Sequence, residues 1–595
     1  MYVMATAGHV DHGKSTLVRA LTGTEPDRWE EEHRRGLTID LGFASLTLPS
    51  GRVLSFVDVP GHERFLSNML SGLGPASMVC FVVAADQGWQ PQSSDHRDAV
   101  AALGIDTGLI VISRTDLAPH RVPEVLEQTR RELAGTGLAG APAVAVSAVE
   151  GAGLDLLREQ LDEVTASADR PDSQAPVRLW VDRAFSIRGA GTVVTGTLTA
   201  GQLHRQQHLH LLGENVDETV VVRGLQSRHT DVETLQATDR AAVNLRGAQA
   251  VQLSRGHVLL TPGAWHLTDV LDVRHTTGDN FADARESLTV HLGTADVPAR
   301  CRRFDDDHAR LTLSRPLPVR IGERLLLQVA SARTVHSGVV ILDVDPPQLN
   351  RRGHGPRRAE TLARSPVTGD PVAEVRRRGA VKASALHRMG FQVPQVLGTE
   401  LRRLGDWLID AAQLARWTAE LRSVIEQHME QDPLSAGLSE GAAVDHLDLP
   451  VRALLAPLIQ EAGLRQEAGR ITSMEARRDL GPAESAVVVL ERQLAEDLFL
   501  APETNQLAAL GLGDRELAAA ARHGRILRLT GSIVLLPHAP ARAMQLLSGL
   551  DQPFTLSAAR QALATTRRVA LPLLEHLDSR GWTRRVDAAL REVVR

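Results

Sequence analysis

A glycine-rich stretch near the start of the chain, GHVDHGKS, has the residue types and spacing of a phosphate-binding loop. Glycines let backbone N–H groups approach phosphate oxygens at a helix N-terminus, a lysine reaches the outer phosphates, and a serine hydroxyl binds Mg²⁺. An apolar run precedes the loop and the helical pattern TLVRALTG follows it, so it joins a strand to a helix. A chance glycine loop is the alternative. The residues assigned to nucleotide binding are Gly8, His9, Val10, Asp11, His12, Gly13, Lys14, Ser15 and Thr16, with both histidines in structural roles.

Two segments downstream carry groups suited to Mg²⁺ and to a third phosphate. Asp58 ends the apolar strand of RVLSFVDVPGHERF, where its carboxylate can hold Mg²⁺ through water. Gly61, in the turn that follows, can offer its N–H to the third phosphate. In RGLTIDLGF, Thr38 can close over Mg²⁺ only when that phosphate is present, which would make this segment a switch. The predicted metal ligands are Ser15, Thr38 and Asp58.

These motifs, with a Thr-Asp pair after a strand and a Ser-Ala pair further on, resemble those of translational GTPases related to elongation factor Tu. The resemblance implies GTP and GDP as ligands, Mg²⁺ as cofactor and hydrolysis of GTP. It implies that His62 positions the attacking water once the ribosome orders it, although a solvated turn histidine is the alternative. It makes Val10 and Leu37 an apolar gate in front of His62. It assigns binding of the guanine base to Ser113, Arg114, Asp116, Ser147 and Ala148.

The base-binding motif departs from the family pattern. Where relatives have Asn-Lys-x-Asp, this chain has Ser113, Arg114, Thr115 and Asp116. The retained carboxylate accepts hydrogen bonds from guanine, whereas adenine would turn an acceptor toward it, so guanine remains the predicted base. Because the missing asparagine amide braces this loop against the phosphate-binding loop in relatives, the sequence predicts weaker nucleotide binding, with the stem of Arg114 covering the base.

The composition favours a multidomain protein outside the membrane. A chain of 595 residues exceeds what one hydrophobic core serves, and 43% apolar residues with a net charge of −6 are ordinary for globular proteins. No apolar run is long enough to span a bilayer, the start lacks a secretory pattern, and Cys80 and Cys301 make no disulfide framework. We therefore expect a cytoplasmic chain that does not enter a membrane.

The chain divides into four regions by pattern. Continuous apolar runs such as SMVCFVVAAD indicate a parallel sheet in an α/β P-loop GTPase domain over residues 1–172. Short alternating runs then predict two β-barrels, over 176–262 and 263–347. The opening of the first barrel resembles the second domain of this superfamily, which helps to bind the aminoacyl end of a tRNA.

The last region, 356–595, repeats a helix, a glycine and a strand-turn-strand. The marker glycines are Gly405, Gly463, Gly524 and Gly581, at separations of 58, 61 and 57 residues. This period predicts four tandem winged-helix modules of α+β type, the last at about 546–595. An irregular helical tail is the alternative. The last module gathers arginines suited to an RNA hairpin, unless they form only a solvated charged face. The candidate RNA-binding residues are Arg567, Arg568, Arg584, Arg585 and Arg591.

A body like that of elongation factor Tu followed by four winged helices resembles the selenocysteine-specific translation elongation factors. The segments GTEPDRWEEEHRRGLTIDLGF and FTLSAARQALATTRRVALPLLEHLDSRGWTRR add to this resemblance. It implies a monomer that, with GTP bound, carries selenocysteinyl-tRNA to the ribosomal A site at recoded UGA codons. Its final module would bind an mRNA hairpin, the selenocysteine insertion element, and GTP hydrolysis would release the tRNA.

Such a factor must reject the same tRNA carrying serine. A selenol ionises more readily than a thiol, so a cationic pocket can separate the selenolate from a neutral serine. The resemblance places this pocket at Asp40, Asp182, Arg183 and Arg240, for which surface ion pairing is the alternative. Two other classes of function stay open: a general aminoacyl-tRNA carrier or initiation-type GTPase with an unrelated appendage, and a regulator whose winged helices bind duplex DNA.

Overall fold

A computed structural model describes residues 2–26, 38–168, 172–189, 191–228, 230–329, 335–350, 353–432, 434–473 and 480–594. The chain forms two compact units, one of Met1–Glu374 with Val381–Val396 and one of Val375–Ala380 with Leu397–Arg595. No helix among the described residues is both long enough and apolar enough to cross a membrane.

The described part of the first domain is a six-stranded sheet flanked by helices. The strand order is β2-β3-β1-β4-β5-β6, with β2 antiparallel to β3 and the other neighbours parallel. The strands are β1 Tyr2–Ala7, β2 Gly42–Thr47, β3 Val53–Asp58, β4 Met78–Ala84, β5 Gly108–Ser113 and β6 Ala143–Ala145. The helices are α1 Lys14–Thr22, α2 Leu66–Leu73, α3 Pro91–Leu103, α4 Val122–Leu133 and α5 Leu154–Ser167.

Both faces of this sheet are buried, as continuous apolar strands predict. Along β4, Val79 and Phe81 pack into one core, whereas Met78, Cys80 and Val82 pack into the core on the opposite face. The carboxyl ends of parallel strands meet at one edge of a sheet. The sheet therefore brings the loop after β1, the end of β3 and the end of β5 to the same edge.

Two antiparallel barrels follow. In the first, the described strands form the ring β10-β15-β7-β8-β14-β11, which β10 and β11 close by pairing with each other. The strands of this domain are β7 Arg178–Ile187, β8 Gly191–Ala200, β9 Gln202–His204, β10 His208–Gly213, β11 Val216–Ser227, β12 Thr230–Val232, β13 Thr234–Gln236, β14 Arg240–Arg246 and β15 Val258–Leu260, of which β9 and β13 pair in a separate two-stranded sheet. The second closed barrel has β16 Leu267–Gly278, β17 Ser287–Leu292, β18 Ala295–Arg303, β19 His308–Pro318, β20 Arg324–Val329 and β21 Val335–Asp343.

The remaining elements alternate helices with short β-hairpins, and the predicted fold class of GTPase domain, two barrels and winged-helix region is confirmed. The elements are α6 His354–Arg364, α7 Pro371–Arg378, β22 Ala380–Lys382, α8 Ala383–Met389, β23 Leu401–Leu404, β24 Trp407–Asp410, α9 Ala411–Gln431, β25 Leu438–Ser439, α10 Glu440–Leu447, α11 Leu455–Glu461, β26 Leu464–Glu467, β27 Arg470–Ser473, α12 Glu484–Glu496, α13 Thr504–Ala509, α14 Asp514–Arg522, β28 Leu527–Leu529, β29 Ile533–Leu535, α15 Ala539–Leu547, β30 Phe554–Thr555, α16 Leu556–Ala562, α17 Arg567–Ser579, β31 Thr583–Arg585 and β32 Leu590–Val593. The domain borders at 172, 262 and 347 stay predictions.

One marker glycine of the predicted repeat occupies a different place from the others. Gly463, Gly524 and Gly581 each lie two residues after a helix, at φ values of 66°, 69° and 70°. Gly405, at φ 61°, lies instead in the turn between β23 and β24. The separation of 58 residues therefore runs from a hairpin turn to a helix end. Only the separations of 61 and 57 residues are between equivalent positions.

Candidate functional site

The phosphate-binding loop passes tightly under the end of β4. Gly8 has φ 130°, and a Cβ atom built on it would lie 2.1 Å from the carbonyl oxygen of Val82, so only glycine fits there. The loop ends at Gly13, and α1 starts at Lys14 with its N-terminus toward the loop. The Lys14 Nζ donates to the carbonyl oxygens of Gly8 (2.9 Å) and His9 (2.8 Å). The loop, its lysine and the helix N-terminus thus form an anion-binding cradle.

Both loop histidines have the surroundings of structural residues. His12 is fully buried, and its Nδ1 lies 3.3 Å from the carbonyl oxygen of Val82. Burial lowers the pKa of His12 to about 3, and burial together with Lys14 lowers the pKa of His9. Two neutral histidines add no charge to the cradle, which supports the roles predicted for them.

Two of the predicted Mg²⁺ ligands, Ser15 and Thr38, lie close together, and the third, Asp58, ends β3 at this edge of the sheet. The Ser15 Oγ and Thr38 Oγ1 are 2.9 Å apart. Asp58 is fully buried at the end of β3, and its Oδ1 accepts a hydrogen bond of 2.7 Å from the Thr6 hydroxyl. Thr6 in turn accepts from the N–H of Val59, which fixes the carboxylate (3.1 Å). Hydroxyl and carboxylate oxygens suit Mg²⁺, so these residues fit the cofactor.

Gly61 and His62 lie beside the phosphate-binding loop. A Cβ atom on Gly61 would come within 2.6 Å of both the Lys14 Nζ and the Val10 nitrogen, so this approach requires glycine. The Nδ1 of the half-buried His62 accepts from the N–H of Arg64 (3.2 Å). Leu37, the other half of the predicted apolar gate with Val10, lies outside the described residues.

Two α3 residues that the sequence reasoning missed hold this loop in place. The Gln92 Oε1 accepts from the N–H of Val10 (3.1 Å), and the His96 Nδ1 accepts from the N–H of Gly8 (3.2 Å). Burial keeps the pKa of His96 well below its ordinary value, although a hydrogen bond with the backbone of Gly61 opposes the shift. A spacing of four residues puts both side chains on one helix face, which was the available signal.

The substituted base motif keeps its connection to the phosphate-binding loop. The buried Ser113 Oγ donates to the carbonyl oxygen of His12 at 2.6 Å. The expectation that the brace is lost with the asparagine is therefore wrong, because the shorter hydroxyl spans the same two loops. Arg114 sits at φ 51° with its Nη1 3.4 Å from Asp86, and Asp116 is half-buried.

Ser147 lies two residues after β6 and is fully buried. Its Oγ accepts a hydrogen bond from the N–H of Glu150 (3.1 Å). This bond shapes the turn that also carries Ala148. The roles of Ser113, Arg114, Asp116, Ser147 and Ala148 in binding the base stay predictions.

The four residues predicted for the selenocysteine pocket meet where the GTPase domain contacts the first barrel. The Arg183 Nη2 donates to the Asp40 Oδ2 (3.0 Å), which lies 143 residues earlier in the chain. Arg240 makes a bidentate pair with Asp182, at 2.5 and 3.0 Å. The Phe43 ring joins the two pairs, because the guanidinium of Arg240 lies 3.2 Å and that of Arg183 lies 5.4 Å from its centroid.

Asp182 is the buried anchor of this cluster. Burial alone would raise the pKa of its carboxyl group, but the charge and hydrogen bonds of Arg240, a hydrogen bond from Thr195 and the charge of Arg183 lower it overall. The carboxylate is therefore ionised at neutral pH and holds Arg240 over the Phe43 ring.

The sequence reasoning also missed Arg255 at this junction. Its Nη2 donates to the Asp40 Oδ1 (2.6 Å) and its Nη1 donates to the Asn68 Oδ1 (2.5 Å). Asp40 thus lies between two arginines. No sequence signal marks Arg255, because its partners lie 215 and 187 residues away.

The arginines of the last module are not equivalent. Arg591 is only 6% exposed and its Nε donates to Asp578 (3.0 Å), so its assignment to RNA contact is corrected to a structural one. Arg568 donates to the carbonyl oxygens of residues 501 and 502, at 2.6 and 3.3 Å. Arg567 and Arg568 are exposed, and so are two arginines that pair with carboxylates at the surface. These are Arg584, paired with Glu592, and Arg585, paired with Glu575.

Three family models match parts of the chain. They are "Elongation factor Tu GTP binding domain" over residues 1–167, "Elongation factor Tu domain 2" over 191–260 and "Elongation factor SelB, winged helix" over 545–589. The fold and the phosphate-binding site, together with these models, define a translational GTPase related to elongation factor Tu.

Similarity over the full length narrows the class. The "Selenocysteine-specific elongation factor" of Escherichia coli (strain K12) is 31% identical across 98% of this chain and 97% of its own. The protein of the same name from Desulfomicrobium baculatum is 31% identical across 98% of both chains. The chain belongs to the selenocysteine-specific elongation factor family.

Two further comparisons bear on the fold and on how far the similarity to other translational GTPases extends. A crystal structure titled as a bacterial selenocysteine-specific elongation factor matches all of both chains with a TM-score of 0.80 at 24% identity, which bears on the fold alone. The "Translation initiation factor 2 subunit gamma" of Haloarcula marismortui, 31% identical, matches only 54% of this chain. As a translational GTPase of this family, the chain binds guanine nucleotide and hydrolyses GTP.

Proposed function

We propose that the chain, with GTP bound, carries selenocysteinyl-tRNA to the ribosomal A site at recoded UGA codons. Its last winged helix binds a hairpin in the same mRNA, and hydrolysis of GTP releases the tRNA. The observation that carries this proposal is the cationic cluster at the junction between the GTPase domain and the first barrel. We propose in addition that the chain acts as a monomer in the cytoplasm, where the ribosomes are.

The charge of the cluster favours a selenolate. Among the described side chains that meet there, three guanidinium groups, of Arg183, Arg240 and Arg255, face two carboxylates, of Asp40 and Asp182. Three positive charges minus two negative charges leave one positive charge. An anionic selenocysteine would neutralise it, whereas a neutral serine would not, which supports discrimination between the two aminoacyl groups.

At the nucleotide, each residue has a separate task. The backbone of the loop and Lys14 bind the phosphates, and Ser15, Thr38 and Asp58 hold Mg²⁺, which neutralises phosphate charge when bound. Because the His62 Nδ1 accepts from a backbone N–H, the proton of the neutral ring is on Nε2. The Nε2 of His62 can therefore donate to the attacking water and orient it.

The exposed arginines of the last module suit RNA. Arg567, Arg568, Arg584 and Arg585 lie at its surface. A guanidinium group pairs bidentately with phosphate and stacks on an unpaired base, which favours the loop of a hairpin over a regular duplex. We propose these four residues as the contacts to the mRNA hairpin.

Replacement of Arg183 by an uncharged glutamine tests the pocket. The affinity of the GTP form for selenocysteinyl-tRNA and for the same tRNA carrying serine would be measured at one salt concentration, for wild type and Arg183→Gln. The variant should lose at least about tenfold of the preference for the selenocysteinyl form while it keeps its affinity for GTP. Arg205→Gln, which breaks a surface pair of the same barrel, is the matched control. An equal loss for both tRNAs would refute the pocket.

A further inference from the structure

We propose that Arg255 is a positioning residue that couples the nucleotide site to the amino-acid pocket. It does so by holding Asp40, the shared partner of Arg183. This inference rests on the proposed function, because it concerns control of the same pocket.

Arg255 donates hydrogen bonds to both segments that border the predicted site of the third phosphate. One partner, Asp40, follows Thr38 by two residues, and the Thr38 hydroxyl is 2.9 Å from Ser15. The other partner, Asn68, lies in α2, a few residues after Gly61 and His62. The Asn68 Nδ2 donates to the carbonyl oxygen of Ile39 (2.8 Å), which joins the two segments to each other. Arg255 therefore contacts the barrel-facing side of both segments at once.

The same arginine is tied to the strand that carries the pocket. The N–H of Gly256 donates to the carbonyl oxygen of Val181 (3.3 Å), and the N–H of Val181 donates to the carbonyl oxygen of His257 (2.8 Å). Arg183 is two residues further along this strand. Movement of the loop at Arg255 is thus transmitted through backbone bonds to the strand of Arg183.

Asp40 connects the two arginines directly. Its Oδ1 accepts from Arg255 and its Oδ2 accepts from Arg183, while Arg183 also donates to the carbonyl oxygen of Leu41 (2.6 Å). Because both acceptors of Arg183, on Asp40 and Leu41, belong to the segment after Thr38, Arg183 is oriented only when that segment is in place. Arg255 stabilises the segment in that position. Loss of the third phosphate, which would free Thr38, would then also disorient Arg183.

This arrangement predicts a defect in coupling rather than in binding of nucleotide. Arg255→Met should lower the ratio of affinities for selenocysteinyl-tRNA between the GTP-analogue and GDP forms by about tenfold. By thermodynamic reciprocity, selenocysteinyl-tRNA should then raise the affinity for the GTP analogue relative to GDP about tenfold less than in wild type. Without tRNA, the affinity of the variant for GDP should be unchanged, because the segment after Thr38 is not held in place in the GDP form. Arg205→Met, in the same barrel, is the control.

A second variant keeps the test decisive if Arg255→Met does not fold. Arg255→Lys keeps the charge, but its single ammonium group cannot replace the guanidinium fork between Asp40 and Asn68, so the same fall in the ratio is expected. A ratio within about twofold of wild type in a folded variant would overturn the proposal. If wild type itself does not prefer selenocysteinyl-tRNA to seryl-tRNA, the proposed function fails instead.

Discussion

Replacement of Ser113 by alanine should weaken nucleotide binding by a predictable amount. The change removes the 2.6 Å hydrogen bond from the Ser113 Oγ to the carbonyl oxygen of His12, at a place where both residues are buried. A lost neutral hydrogen bond that leaves a buried acceptor unsatisfied costs about 1–3 kcal/mol. At about 1.4 kcal/mol per factor of ten, a cost of about 2 kcal/mol corresponds to roughly 30-fold in Kd.

Part of this cost falls on the free protein, because the bond joins two loops of the protein itself and requires no nucleotide atom. We therefore expect Kd for GDP to rise between about 3-fold and 30-fold for Ser113→Ala, and to change little for Ser113→Asn. A fluorescent GDP analogue titrated at constant Mg²⁺ would measure both variants. Thr129→Val is the matched control, since it removes a buried hydroxyl-to-carbonyl bond of 2.8 Å within α4. An unchanged Kd for Ser113→Ala would refute the brace.

Three further predictions concern other parts of the chain. His62→Ala should lower ribosome-stimulated GTP hydrolysis by about 100-fold to 10,000-fold and leave GTP affinity intact, as measured by phosphate release and nucleotide titration. Arg591→Met should lower the free energy of unfolding of the last module by about 2 kcal/mol in a denaturant melt. Arg584→Gln should leave that melt unchanged. For a hairpin RNA selected on the wild-type chain, Arg584→Gln should reduce the salt slope of binding by about one. In the folded state the pKa of His12 is lowered to about 3, whereas in the unfolded state His12 takes a proton below about pH 6.5. Lowering the pH from about 7 to about 5.5 therefore favours the unfolded state. The free energy of unfolding of the first domain should fall by about 1 kcal/mol more in wild type than in His12→Gln.

Local patterns predicted the elements that depend on neighbours in sequence. The phosphate-binding loop, the buried parallel strands and the barrels follow from spacing and alternation, so the fold class and the approach of Ser15 to Thr38 could be predicted. The glycine period was less informative, because a hairpin turn and a helix end both favour glycine at positive φ. Spacing alone could therefore not distinguish Gly405 from Gly463.

Contacts between distant segments could not be predicted in this way. Arg255 and Asn68 are ordinary surface residue types whose meeting depends on how the first barrel docks against the GTPase domain. The burial of Arg591 depends on the wing of the last module folding over α17. The hydrogen bond from Ser113 to His12 could not be predicted either. Whether a serine side chain can span two loops depends on the distance between the loops, which the sequence does not give.

The central claim is that this GTPase carries a tRNA because of the selenocysteine attached to it. The most direct measurement is the dissociation constant of the wild-type chain, loaded with a GTP analogue, for selenocysteinyl-tRNA and for the same tRNA carrying serine, at one salt concentration. We expect the selenocysteinyl form to bind at least about tenfold more tightly, and this preference to be lost with GDP. Equal affinity for the two forms would contradict the central claim.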